Sequence, residues 1–560
     1  MVGYQGCTFQ RYFIEKTSEI PFRFRYPDRL ISEESLPYCS FPALFVAYSM
    51  ESAAWGPGFP VKIKIFDGCT PSPSMKRLGH LSIIAHDMAL IFEFLALVTL
   101  VPFIVLIIYQ EWEMIIPMGM VPFTFVTLGV LISKVPKKAY TPSLSVALVA
   151  VALTWLAVAL IGSIPFALAL DIPWTDSIFE SMSGWTDTGI TMMTSLDTLP
   201  RTLIFWRSFT QWLGGIGVIA FGIAMLSRSG LSQIQLYRSE GRSEDLMPNV
   251  VSTGRRMWAI YFFLTVVSTG LILFSGIPLW DAMNLAMVAI ATGGFTPHDA
   301  GVLYYNNPLL EALLIPVMIA GSLPFKLYFL VYRGKFRMFL KNSVVRLILA
   351  LSLIGSVAVV FNLYLFNEYT LTEAVRFGTF GTISGLTSTG LQNSSLQWLP
   401  LPLIILMLLM FIGGASGSTA GGIKVNRVIL GYEGLVWWFK RLFVRGNVLV
   451  PFKHEGKNIP TRISEVELSK NMLIIILYVL VVFVATILAL HIAPTPFEVH
   501  KVVFEVISAI SNNGLGHGYM TAASPAAAKW LFIFVMWIGR LEIIPVLILV
   551  MGIVRGFEPR

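Results

Sequence analysis

Charge is scarce in this sequence: 13% of its 560 residues are Asp, Glu, Lys or Arg, about half the share of an ordinary soluble domain. With a hydrophobic fraction of 55% and a mean hydropathy of +0.73, that scarcity excludes a string of soluble domains and points to a membrane protein. Cysteine is scarcer still. Cys7, Cys39 and Cys69 all precede the first apolar run and show neither metal-ligand spacing nor a disulfide framework. The seven histidines are dispersed, and no His-Glu-x-x-His or Gly-x-Ser-x-Gly arrangement occurs, so nothing marks an enzyme or a resident cofactor. The net charge of +8 comes from basic residues scattered through loops, which argues against nucleic acid as a partner. Residues 1–74 lack a signal-peptide core. They read as a cytosolic tail, or as sequence upstream of a natural start at Met75-Lys76-Arg77.

What is present is a series of ten apolar runs, at residues 88–109, 115–132, 144–170, 203–226, 257–274, 309–331, 347–366, 401–412 with a continuation past Val425, 472–492 and 530–554. Most are long enough to cross a hydrocarbon core of about 30 Å. Alternate loops are basic: Lys134, Lys137 and Lys138; Arg228, Arg238, Arg242, Arg255 and Arg256; Arg333, Lys335, Arg337, Lys341 and Arg346; and residues 424–470. By the positive-inside rule these loops and both termini are cytoplasmic, in a multi-pass protein of the cell membrane.

The last four outer loops are long, and each holds an apolar or small-residue stretch of about half a membrane span, read as a re-entrant half-helix. Each stretch ends in a tetrad: Thr186-Asp187-Thr188-Gly189, Ala291-Thr292-Gly293-Gly294, Thr387-Ser388-Thr389-Gly390 and Ser511-Asn512-Asn513-Gly514. In a chain with 45 glycines a short pattern proves little, but the agreement is longer. Phe179-Glu180 and Phe504-Glu505 hold the same place before Gly189 and Gly514, Asp176 and Asp281 the same place before Gly189 and Gly294, and Ser183-Gly184 matches Ser384-Gly385. A second glycine follows each tetrad, Gly214, Gly321, Gly413 or Gly539, at offsets of 25, 27, 23 and 25 residues. The expected fold is therefore an all-α membrane protein of ten transmembrane helices: two N-terminal helices, then four helix–pore loop–helix repeats around a pseudo-fourfold pore. The expected parts are an extension at 1–74, two extra helices at 75–140, and repeats at 141–256, 257–344, 345–470 and 471–560.

Irregular backbone at membrane depth is tolerated only where protein buries it or it lines a wet cavity. Four tetrads about one axis could replace the water around a monovalent cation with backbone carbonyls. The half-helices would add their partially negative C-termini. Asp187 either attracts cations at the mouth or turns away to cap amides. In the third repeat, Gly413-Gly414-Ala415-Ser416-Gly417-Ser418-Thr419-Ala420-Gly421-Gly422-Ile423-Lys424 disfavours helix. It fails as a phosphate loop, because Ile423 and not a lysine follows Gly422. It reads as a movable obstruction below the tetrads or as small residues for close helix packing. Arg540, within the last run, faces the pore or Glu542; it restrains ions, tethers the glycine-rich segment or makes a structural ion pair.

These residues resemble the Trk/Ktr/HKT family of potassium transporters, and within it the TrkH type, over about residues 76–560. The resemblance implies that tetrad carbonyls coordinate potassium, that Gly189, Gly294, Gly390 and Gly514 are the filter glycines, and that glycine at all four favours potassium over sodium. It likens residues 413–424 to the family's intramembrane gating loop and Arg540 to the arginine that opposes it. It also implies a homodimer on a cytosolic ring of TrkA-type nucleotide-binding subunits. An acid at Asp187 departs from the family pattern. The expected function is potassium uptake down its electrochemical gradient. A proton- or sodium-coupled symporter and the channel-like subunit of a potassium-pumping ATPase are the alternatives.

Overall fold

The computed structural model describes residues 73–135, 144–217, 250–444, 450–454, 457–492 and 498–555. The extension up to residue 72, Lys137 and Lys138, the basic stretch with Arg228, Arg238 and Arg242, and Arg560 lie outside the described residues.

Apolar composition makes most of the chain helical. Among the described residues, six helices are long and apolar enough to cross a bilayer: Ile84–Tyr109, Trp112–Ser133, Ser145–Ala169, Gly254–Leu273, Ser343–Phe366 and Ser464–Ile492. The ordinary soluble arrangement is inverted: Phe263, Leu353, Phe361 and Phe483 are exposed, whereas Glu180, Arg207 and Asn512 are fully buried. Hydrocarbon solvates the first set, and the interior must satisfy the second. Shorter helices Arg201–Ile216 and Pro400–Ile412 fall on two more of the apolar runs.

The remaining two runs correct the sequence reading, which took residues 309–331 and 530–554 as single spans. Pro308–Ser322 and Phe325–Tyr332 meet at 102°, and Ala526–Arg540 and Ile544–Val554 at 113°. Pro324 accounts for the first bend, because it lacks an amide and clashes with a continuing helix. At the second, Pro545 is the second residue of the new helix, and Glu542 and Ile543 before it adopt φ of 56° and 71°. The inner helix of the third repeat is also interrupted, between Ile412 and Val425.

Between the spans lie four half-helices, Trp174–Trp185, Leu279–Ala291, Leu371–Leu386 and Val499–Ile510. At 1.5 Å per residue each is about 18–24 Å long, short of a full crossing. Pro173 and Pro278 hold the first two entries extended. Thr370 starts the third with a capping box to Glu373. One element departs from an all-helical reading: an antiparallel hairpin pairs Phe452–His454 with Lys457–Ile459. Its buried Phe452 packs edge-on to Trp437 at 5.6 Å. Strands of three residues are too short to show a period of two.

Candidate functional site: a ring of four tetrads

All four half-helices stop in the same way. The second residue of each tetrad takes a left-handed conformation: Asp187 (φ 62°), Thr292 (62°), Ser388 (55°) and Asn512 (48°). That is the geometry of a helix C-cap, in which the next amides turn back into the last turn. Thr188 N donates to Ser183 O, Gly293 N to Val288 O, Thr389 N to Ser384 O and Asn513 N to Ser508 O, at 2.9–3.0 Å. With its amides used on the helix side, each tetrad has carbonyls free to face the other way.

The fourth residue is glycine with φ between 72° and 95° in every copy, a range closed to other residues at little cost. Space forbids a side chain as well. A Cβ on Gly189 would overlap the Gly293 carbonyl and lie 3.1 Å from Gly294 Cα; on Gly294 it would meet Thr389 O at 2.8 Å. On Gly390 it would overlap the Asn513 carbonyl, and on Gly514 the Thr188 carbonyl. Each glycine thus abuts the next copy in the order one, two, three, four and back to one, which closes a ring. All four glycines line one cavity of about 280 Å³ on its outer side, together with Gln392 and Asp299.

Buried polar clasps hold the ring shut. Between copies one and two, Arg207 pairs with Glu180 at 2.8 Å, donates to Thr296 O at 2.9 Å and lies over the Phe295 ring. Between two and three, Arg376 makes a bidentate pair with Glu311 at 2.6 and 2.9 Å. Asn513 donates to Gly385 O at 2.8 Å between three and four, and Lys529 meets Asp176 at 2.5 Å between four and one. Sequence reasoning missed these pairs. The repeated Phe-Glu was the available signal. Glu180 accepts from Met192 N, and Glu505 from the amides of His517, Tyr519 and Met520, so both glutamates hold the chain that leaves a tetrad.

The second glycines divide in two groups. A Cβ on Gly214, Gly321 or Gly539 would press on the carbonyl of Trp185, Ile290 or Ile510, each the residue just before its own tetrad. Gly413 instead packs on Gly421 and Gly422. Residues 413–424 are non-helical and fold back on themselves, with Ile423 N donating to Phe411 O and Lys424 N to Ile412 O. Lys424 Nζ donates to Ala420 O, and Gly414 rests on Ala420 and Ser322. The segment lies against the inner side of the ring: Thr419 Oγ1 donates to Ile290 O and Gly321 O and accepts from Thr292 Oγ1, and Gly421 abuts Ser511 O. Gly417 O accepts from Phe325 N, and Ser418 Oγ donates to Ala415 O.

Arg540 Nη1 donates to Thr419 O at 3.1 Å, and its Nη2 to Gly214 O and Gly215 O. Glu542 is held by Arg427. Arg540 therefore joins the glycine-rich segment to the inner helix of copy one. Asp187 is fully buried, and its carboxylate accepts no hydrogen bond from any described residue, so it does not cap amides.

Residues 118–554 match the family model of TrkH, a cation transport protein. The chain is 30% identical to an uncharacterized cation transporter of Methanocaldococcus jannaschii over 83% of its own length and 94% of the relative's. It is 32% identical to the Trk system potassium uptake protein TrkH of Salmonella typhimurium, over 71% and 83% of the two chains. The crystal structure of the potassium transporter TrkH from Vibrio parahaemolyticus superposes with a TM-score of 0.73 at 26% identity, covering 84% of this chain and 98% of that one. Fold, repeats and sequence agree, and the chain belongs to the TrkH family of cation transport proteins.

Proposed function

We propose that this chain conducts potassium across the cell membrane, with the four tetrads as its selectivity filter and residues 413–424 as its gate. The closed ring of Gly189, Gly294, Gly390 and Gly514 around one outer cavity carries the reading. Carbonyls turned from the half-helices provide oxygens for a desolvated cation, and the partially negative helix ends repel anions. The relatives named as potassium uptake proteins support potassium as the cargo. A membrane potential of 100 mV supplies about 2.3 kcal/mol per charge, enough to drive uptake without a pump.

The gate follows from the contacts of Thr419, Gly421 and Arg540 on the inner side of the ring. In this reading Arg540 holds the segment across the path, and opening breaks its bonds to Thr419 O or to Gly214 and Gly215. Repeats of 141–256, 257–344, 345–470 and 471–560 then surround the pore, with both termini cytoplasmic. A homodimer on a cytosolic TrkA-like nucleotide-binding ring completes the proposal.

Rubidium and sodium uptake into liposomes holding the purified protein tests it. Rubidium uptake well above sodium, driven by voltage alone, supports the proposal. Uptake that collapses without a proton gradient at fixed voltage establishes a symporter instead.

A further inference from the structure

The four tetrads are not equal at their third position. Copies one, three and four carry Thr188, Thr389 and Asn513 there, whereas copy two carries Gly293. Two polar groups of copy one fill the space that this glycine leaves. A Cβ on Gly293 would collide with Asp187 Oδ1 and would lie 2.5–2.6 Å from the Gln211 side-chain amide. On its other side the carboxylate faces Gly215, where a Cβ would sit 2.9 Å from Asp187 Oδ2 and 3.0 Å from Ala291 O. Two glycines thus make a slot for one carboxylate behind the filter wall, where copies one and two meet.

The carbonyl at this corner is already engaged. Gln211 Nε2 donates to Gly293 O at 2.5 Å, while its Oε1 accepts from Phe295 N at 3.0 Å. An oxygen that accepts from an amide has less negative potential left for an ion, so this corner is the weaker one unless charge is added. The acid at this corner is Asp187, whose two buried oxygens accept no hydrogen bond from any described residue. Burial works against its charge, and the cations that favour the charged form are Arg540 and Lys424. Both belong to the segment and helix below the ring, and Arg540 donates to Gly215 O, on the same glycine that walls the carboxylate.

We infer that Asp187 sets the cation affinity of the filter from behind its wall: a fixed negative charge, lodged between Gly293 and Gly215, that compensates the Gly293 carbonyl drawn off by Gln211. Asp187 is a positioning and affinity residue in this account. Its side chain does not touch the ion. The inference rests on the tetrads being the filter, and its test separates the two.

The full chain is purified as Asp187→Asn, nearly isosteric and neutral, and as Asp187→Ser, which repeats the side chain that Ser388 already places at this position in copy three. Rubidium binding is read from the thermal stabilisation it gives in detergent as its concentration rises, and melting in choline checks folding. For a separation taken as about 8 Å and an effective dielectric of about 20–40, such a charge changes affinity roughly five- to thirtyfold. Both variants should melt like the wild type in choline and need at least about fivefold more rubidium for half-stabilisation, with the order of rubidium over sodium kept. Half-stabilisation unchanged in Asp187→Asn overturns the inference, since the group then carries no charge that matters. So does a loss in Asp187→Ser alone, which makes shape the cause, or a reversed ion order, which makes the side chain a direct ligand. A wild type that rubidium does not stabilise at all sinks the filter reading itself.

Discussion

Gly390→Ser perturbs one corner of the ring with two separable effects. The residue has φ of 72°, so any side chain adds strain of about 1–2 kcal/mol. The added Cβ would also overlap the Asn513 carbonyl and lie 2.8 Å from Asn513 C and 3.2 Å from Gly514 Cα, so the neighbouring strand must move. A carbonyl displaced by a few tenths of an ångström no longer matches an ion whose water it replaced. If that costs about 1–2 kcal/mol of the difference between potassium and sodium, the ratio of rubidium to sodium permeability falls roughly five- to thirtyfold. Gly518→Ala is the control, because Gly518 has φ of 81° but open space around its Cβ position. It carries the backbone strain without the displaced carbonyl. Bi-ionic potentials or paired tracer uptake in liposomes read the ratio. A Gly390→Ser protein with normal uptake and the wild-type ratio would refute the assignment of this glycine to the filter, and an equal fall in Gly518→Ala would assign the effect to strain.

Arg540→Gln removes the donors to Thr419 O, Gly214 O and Gly215 O, and should raise basal rubidium uptake severalfold; unchanged uptake at equal protein would contradict a tether on the gate. Lys529→Met leaves Asp176 buried without its partner and should destabilise the protein by about 3–5 kcal/mol, with the Lys529→Met/Asp176→Asn double variant recovering part of that loss in a melting assay. At the outer face, His298 holds the Asp197 carboxyl below its usual range by a hydrogen bond and its charge. A depressed folded-state pKa stabilises the fold above the unfolded value near 3.8 and is lost as pH falls through the folded value. Amide exchange around Leu196–Thr198 should therefore quicken at pH below about 4 in the wild type, while Asp197→Asn should exchange fast already at neutral pH.

The repeats were legible in the sequence because they rest on glycines and on residues at fixed distance from them. Gly189, Gly294, Gly390 and Gly514 have no substitute where φ is positive and the next copy's backbone is in contact. The Phe-Glu repeat was also visible, although what it does, the holding of loop amides by Glu180 and Glu505, depends on partners twelve or more residues away. The partnerships of Arg207, Arg376 and Lys529 were hidden, because each joins different copies across gaps that no local pattern spans. The bend after Arg540 had a local signal in Pro545, but the apolar run continues through it, and Leu541, Glu542 and Ile543 themselves do not announce the left-handed backbone found at Glu542 and Ile543. The place of Asp187 depends on what is missing from another copy, the side chain at Gly293, and one strand read alone cannot show it.

The most direct test is to locate the ion. Crystals grown in rubidium, measured at its absorption edge, should show anomalous density on the axis enclosed by the tetrads ending at Gly189, Gly294, Gly390 and Gly514. Density confined to another part of the protein, in a preparation whose rubidium uptake is intact, would contradict the account.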